Sequence, residues 1–287
     1  EELSNETDKP IAVHFLCNPQ VREKMKAETG TPLFDTIEDA VAAMKYLWRY
    51  RLLLQKRARI GTRRAAAELA PAVFDPAAHP DRQGFQLLSR YEIPYEAAFF
   101  SRSEEDAVEA AATFGYPVAL KAISPDFTHK SAAGAVVLGI DNEAKLREAL
   151  KKMKERLAAQ GAGLSDFLLQ RMALPGPELF LGGKQDPHYG PVLILGHGGV
   201  KVESHDRFLT ALAPVSPETA ADMLTRLEGG PSIESRYFPE LVRILVQFSK
   251  LLCGNPRLEE IDINPLRLLP ETGEVKALDV RLLFQKG

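Results

Sequence analysis

The chain has 287 residues, 45% hydrophobic and 26% charged, with 36 basic against 39 acidic side chains and a net charge of −3. That is enough apolar surface for a large core spread over more than one domain. It is too little positive charge to recruit nucleic acid or an anionic membrane, and without a signal-like or long apolar segment a soluble, cytoplasmic chain is expected.

The sequence opens without methionine on polar EELSNETDKP, which reads as a piece of a longer polypeptide. Residues 10 to 60 follow as strand, helix, strand, helix. IAVHFL is a short apolar strand, and VREKMKAETG a helix stopped at Gly30, where glycine accepts a left-handed cap. TPLFD is a second strand. Thr36 then caps a long helix with Asp39 in the reciprocal position, and Ile37, Val41, Met44, Trp48 and Leu52 form its apolar face. This is the end of an α/β layer. The stretch that follows is rich in small residues and proline and reads as a linker. Cys17 and Cys253, distant and in apolar contexts, are expected as buried thiols in preference to a disulfide.

A second unit starts near residue 82 with a helix to Tyr91 and a strand from Tyr95 to Phe99. Ser103 with Asp106 caps the next helix, which ends at Gly115 before strand YPVALKAI. GAVVLGI is a strand and NEAKLREALKKMKERL a helix with a solvated face. DFLLQRM, ELFLGGKQD and GPVLILGHGG are apolar runs between turns. Two helical segments then lead to EIDINPLRLL and VKALDVRLL, a hairpin turning at Glu271, Thr272 and Gly273.

Strand alternation puts Glu260, Asp262 and Asn264 on one face, and the neighbouring strand adds Asp279. Such a set is either a hydrated hairpin edge or a hard oxygen site for Mg²⁺. Lys121 ends an otherwise apolar strand, where its ammonium can snorkel to water or meet a phosphate. The GHGG turn at 196–199 offers backbone amides, a weak signal alone. His129, in the loop FTHKSAAG, reads on its own as a solvated side chain, and His14 and His188 carry no functional signal.

Taken in order, LKAISPDFTHKSAAGAVVLGI, LLQRMALPGPELFLGGKQDPHYGPVLILGHGGVKVE, EEIDINPLRLL and ALDVRL resemble the nucleotide-binding half of the NDP-forming acyl-CoA synthetases. These are relatives of succinyl-CoA synthetase in the ATP-grasp superfamily. The resemblance implies an α/β, two-lobed ATP-grasp fold over residues 82–287, with lobes of about 82–165 and 166–287. A linker at 61–81 and a partial flavodoxin-like unit at 1–60, the end of a CoA-ligase-type domain, would precede it. It further implies that Lys121 holds nucleotide phosphates, that Gln170, Arg171 and Met172 lie against the base, and that Glu178 positions the nucleotide. Gly198, Gly199 and Glu203 would line the same cleft, and Asn264 and Asp279, with Asp262 beside them, would bind Mg²⁺. His129 would accept a phosphoryl group and ferry it, with Lys130 and Ser131 steadying it.

The implied partners are ATP, ADP or another NDP, phosphate and acyl-CoA, with CoA held by upstream domains or an alpha-type subunit, in an oligomer without nucleic acid or membrane. Departures stand beside the matches. Ala132 and Ala135 replace an acid and a glycine of the family pattern, Arg207 and Ala211 occupy positions usually held by Asp and Arg, and EGGPSIESRYFPE lacks the usual arginine-glycine loop. They motivate an alternative, a nucleotide- or acyl-CoA-sensing module of the kind fused to acetyltransferases. An ATP-grasp carboxylate–amine ligase is disfavoured by the HKS motif.

Overall fold

A computed structural model of the chain describes residues 10–28, 32–60, 72, 74–75, 79–123, 135–159, 161, 166–198, 208–227 and 233–285. The chain divides into two compact units, Glu1–Ala66 and Ala67–Gly287.

In the first unit, β1 (Val13–His14) pairs in parallel with β2 (Leu33–Phe34), and α1 (Pro19–Glu28) lies between them in sequence. The long helix α2 (Ile37–Ile60) begins where its cap was read: Thr36 Oγ1 accepts from Asp39 N–H at 3.0 Å and donates to its carboxylate at 2.8 Å. The apolar face expected of α2 is, however, largely uncovered. Ile37, Val41, Trp48 and Leu52 are exposed, and among the described side chains of the helix Ala40 is the one that is buried. Two parallel strands give a helix too little sheet to cover it, and parallel sheets normally carry layers on both faces. Gly30 lies outside the described residues.

The second unit holds two antiparallel sheets. The four-stranded one has the order β3-β6-β4-β5, made from β3 (Ala98–Ser101), β4 (Val118–Ile123), β5 (Val136–Ile140) and β6 (Asp166–Arg171). Helices α4 (Glu104–Phe114) and α5 (Glu143–Ala159) supply a small core with Val118, Leu120, Phe167 and Leu169 from the sheet. At the start of α4, Ser103 Oγ accepts from Asp106 N–H at 3.2 Å, but the Asp106 carboxylate accepts from Ser101 and does not reach back to the cap. The strand expected at Tyr95–Phe99 instead runs Ala98–Ser101, because Pro94, Tyr95 and Glu96 are bonded to another element, Ala277.

The six-stranded sheet runs through β7 (Glu178–Asp186), β8 (Gly190–His197), β9 (Leu209–Leu212) and the long β10 (Leu258–Leu268), with β11 (Val275–Ala277) and β12 (Val280–Phe284) both paired to β10. Helices α3 (Pro80–Arg90), α6 (Pro217–Arg226) and α7 (Phe238–Gly254) share its large core, which also takes in Ile123 and Leu168 from the other sheet. Strand β9 had no counterpart in the sequence reading; its four residues alternate half-buried and exposed, too short a pattern to stand out. Cys17 and Cys253 are both free thiols, and burial raises the Cys253 pKa.

Gly176, just before β7, is held against the end of β10. A Cβ there would sit 1.9 Å from the Leu268 carbonyl oxygen, a backbone atom fixed in the ladder. Gly176→Ala should therefore cost about 1–3 kcal/mol, the range for forcing an extra methyl into a packed site. Calorimetry checks this; an unchanged melting temperature would mean that the turn moves aside freely.

Candidate nucleotide and metal site

Lys121 lies on β4 directly opposite Leu168. Leu168 and Ile123 belong to the large core, whereas Leu120, Ala122 and Leu169 belong to the small one, so alternation turns Lys121 toward the six-stranded sheet. The residue is 8% exposed. Its ammonium donates to the Leu278 carbonyl at 3.0 Å and lies 3.6 Å from Asp279 Oδ1. A desolvated ammonium is costly unless charge and hydrogen bonds replace its water, and these two acceptors replace it.

Both acceptors exist because the terminal hairpin breaks. β10 is paired along both edges, and Pro265 in its middle has no N–H for either ladder. The β10–β7 register shifts between Ile263 and Leu266, and the returning strand splits into β11 and β12 around Leu278 and Asp279. In the gap, Leu278 N–H donates to the Pro265 carbonyl at 3.0 Å and Asn264 N–H to the Asp279 carbonyl at 3.3 Å. Asn264 and Asp279 thus sit across the break from one another, with the Lys121 ammonium beside them.

Glu260, Asp262 and Asn264 share the outer face of β10, with buried Ile261 and Ile263 between them, as the alternation predicts. Asp262 lies between Arg281 and Gly182 in register. A Cβ on Gly182 would come within 3.0 Å of its Oδ1, so the glycine leaves room for the carboxyl. Burial, and then the Glu260 charge, push the Asp262 pKa up against the pull of Arg281. Among the described residues no three His, Cys, Asp or Glu side chains converge as a metal cluster. The amide of Asn264 and the carboxylate of Asp279 are hard oxygen donors that fit Mg²⁺, an ion that keeps several waters and leans on substrate phosphate.

The other expected residues separate. Gln170, two residues along β6 from Leu168 and opposite Ala98 and Ala119, is 3% exposed, and its Nε2 has no partner among the described residues. It faces the same side as Lys121, and an unused buried donor there fits a polar ligand edge. Arg171 is committed elsewhere: its Nε and Nη2 donate to Glu96 Oε1 at 3.0 and 2.8 Å. Met172 is half-buried and donates its N–H to the Pro117 carbonyl at 3.0 Å. Glu178 accepts from Arg267, its register partner on β10, and its carbonyl accepts from Gly198 N–H at 2.8 Å. Gly198 approaches the Leu179 backbone so closely that a Cβ would sit 3.0 Å from it.

His129, Lys130, Ser131, Ala132, Gly199, Glu203 and Arg207 lie outside the described residues. Two of the departures are packing positions. Ala135 is buried in the small core, and Ala211 on β9 sits opposite fully buried Leu193 and packs on the large core. His14 Nδ1 donates to the Phe34 carbonyl at 3.2 Å within its own sheet, and His188 is exposed. The sequence reading missed Leu278, Arg267 and Glu96; only Pro265, in the middle of an apolar strand, signalled the break.

An ATP-grasp domain model matches residues 78–283. The chain is 30% identical over 234 residues to the beta subunit of acetate–CoA ligase (ADP-forming) I of Pyrococcus furiosus, covering 79% of this chain and 99% of that one. The chain belongs to the ATP-grasp family of ADP-forming acetate–CoA ligases. A longer relative, acetate–CoA ligase (ADP-forming) I of Archaeoglobus fulgidus, is 29% identical over 278 residues, which make up 91% of this chain and 40% of that one. The 4-hydroxybutyrate–CoA ligase of Nitrosopumilus maritimus is spanned over 30% of its length.

Among solved structures, the dinucleotide-forming acetyl-coenzyme A synthetase 1 of Ca. Korarchaeum cryptofilum, in complex with coenzyme A and Ca-AMPCP, superposes with a TM-score of 0.67 at 27% identity. That match covers 82% of this chain and 99% of the other. A further structure of that protein, with coenzyme A and Mg-AMPPCP, has its phosphohistidine segment pointing towards the nucleotide-binding site; it matches with a TM-score of 0.61 at 27% identity, over 71% of this chain and 92% of that one.

The Glu178–Arg267 pair is mostly shielded from water, so losing one partner strands the other. Arg267→Met should lower stability by about 1–3 kcal/mol, and the double variant with Glu178→Gln should recover part of that loss. Urea unfolding of both single variants and the double decides; a double-variant loss equal to the sum of the singles would mean the pair is not coupled.

Proposed function

We propose that this chain is the nucleotide-binding, phosphoryl-transfer part of an NDP-forming acyl-CoA synthetase, exchanging acyl-CoA, NDP and phosphate for carboxylate, CoA and NTP. The observation that carries the reading is the Lys121 ammonium meeting Asp279 at the hairpin break, in a chain that belongs to this ligase family. Phosphoryl transfer is mostly positioning and neutralisation of oxygen charge. Lys121 exchanges its two protein acceptors for phosphate oxygens, and Asn264 and Asp279 hold Mg²⁺, with Asp262 beside them. The ion, when bound, neutralises charge developing on the phosphates. Gln170 and Met172 line the base, with the Arg171 backbone between them, and Glu178, Gly198, Gly199 and Glu203 border the nucleotide.

His129 takes the phosphoryl group as a neutral imidazole nucleophile, dividing one long transfer into two short ones. The Korarchaeum synthetase, whose phosphohistidine segment points towards its nucleotide-binding site, supports that role. CoA and the acyl substrate are held by the rest of a longer polypeptide or by a separate subunit, in a cytoplasmic oligomer. The uncovered apolar face of α2 is the surface that remaining layers of its α/β unit would cover. Among the described residues no helix is long and apolar enough to cross a membrane. The sensing alternative loses support, since Ala135 fills a core position, Ala211 packs against the large core, and the relatives named above are ligases.

Two measurements test this. By calorimetry the chain should bind Mg²⁺·ADP, and Lys121→Met should weaken binding by about 10²-fold, the scale for losing one preorganised charge-stabilising donor. In the complete protein, [γ-³²P]ATP should leave an acid-labile label that His129→Ala removes. No nucleotide binding by the parent chain, or a label that survives the substitution, would overturn the proposal.

A further inference from the structure

Glu96 is 2% exposed, a carboxylate taken out of water between the two sheets of the second unit. Such a group persists only with charge and hydrogen bonds around it, and its partners come from both sides. From the end of β6, Arg171 donates twice to Oε1, at 3.0 and 2.8 Å. From β11, the Lys276 ammonium lies 3.9 Å from Oε2 and 3.0 Å from Glu274. The Ala97 N–H also donates to Oε1, at 3.1 Å.

The backbone repeats the connection. Glu96 N–H donates to the Ala277 carbonyl at 3.0 Å, Ala277 N–H to the Pro94 carbonyl at 2.9 Å, and Arg171 N–H to the Ala97 carbonyl at 3.3 Å. Residues 94–97 therefore strap the end of β6 to β11. Ala277 is followed by Leu278 and Asp279, the two acceptors of Lys121.

We infer that Glu96 is a positioning residue for the nucleotide site: its buried carboxylate, gripped by Arg171 from one sheet and Lys276 from the other, holds Leu278 and Asp279 in reach of Lys121. The inference rests on the nucleotide reading of that site. Glu96 touches neither phosphate nor metal in this scheme and acts through the strand it anchors. Replacing it by a neutral side chain removes the one buried carboxylate that both cations share, and leaves them only the more exposed Glu274 beside Lys276.

The test compares the 287-residue chain with Glu96→Gln, Glu96→Asp and Lys276→Met, measuring Mg²⁺·ADP affinity by calorimetry and amide hydrogen exchange by mass spectrometry. Glu96→Gln and Lys276→Met should each weaken binding roughly tenfold, within the range for residues that modulate a site through a packed network. Exchange should accelerate at Ala277 and Leu278 while the β7–β8 ladder keeps its protection. Glu96→Asp, which keeps the charge, should retain most of the affinity. If Glu96→Gln does not fold, Lys276→Met carries the same reading, because it leaves Arg171 to neutralise the carboxylate.

Unchanged exchange at Ala277, or acceleration spread over both sheets, overturns the inference even where the parent chain binds Mg²⁺·ADP normally. A parent chain that binds no nucleotide while Glu96→Gln still loosens Ala277 instead removes the nucleotide reading and leaves the anchoring intact.

Discussion

Pro265 has no N–H to donate, so the ladder on the edge it faces cannot run through it unbroken. On that edge the returning strand divides into β11 and β12, and on the other edge the register with β7 shifts at the same place. The break frees the Leu278 carbonyl and the Asp279 side chain from a regular ladder and gives the Lys121 ammonium a place to end. Lys121 lies in a strand buried on both faces, and the acceptors its ammonium meets are the two at this break.

Much of this was legible. Thr36, Ser103 and Gly115 announced helix ends through local hydrogen-bonding chemistry, and the structure places helix boundaries at each. The hairpin turn at Glu271–Gly273 and the shared face of Glu260, Asp262 and Asn264 followed from period-two alternation. What escaped was non-local. Glu96 sits in an unremarkable run, and only the fold brings Arg171 and Lys276 to it from distant stretches of chain. The same long-range bonding pulled Tyr95 out of its expected strand. The face of α2 misled for a related reason, since periodicity shows that a face is apolar but not what covers it.

The polar groups of the site divide by how fully the protein satisfies them. Arg171 and Glu178 are matched by Glu96 and Arg267 and serve to hold the walls in place. Gln170 keeps an unused buried donor, whereas the Asp279 carboxylate, at the edge of the break, is paired with Lys121 and accepts from Val280 N–H. Ala135 and Ala211, departures by the standard of the family pattern, are packing positions, the first inside the small core and the second half-buried against the large one.

Trp48 is the only tryptophan in the sequence, and 61% of its surface on α2 is open to solvent. Its indole is consequently a built-in optical probe of that helix. Any layer that settles over the face would move the ring from water into an apolar setting and shift its fluorescence to the blue, so docking can be followed by emission alone, without a label.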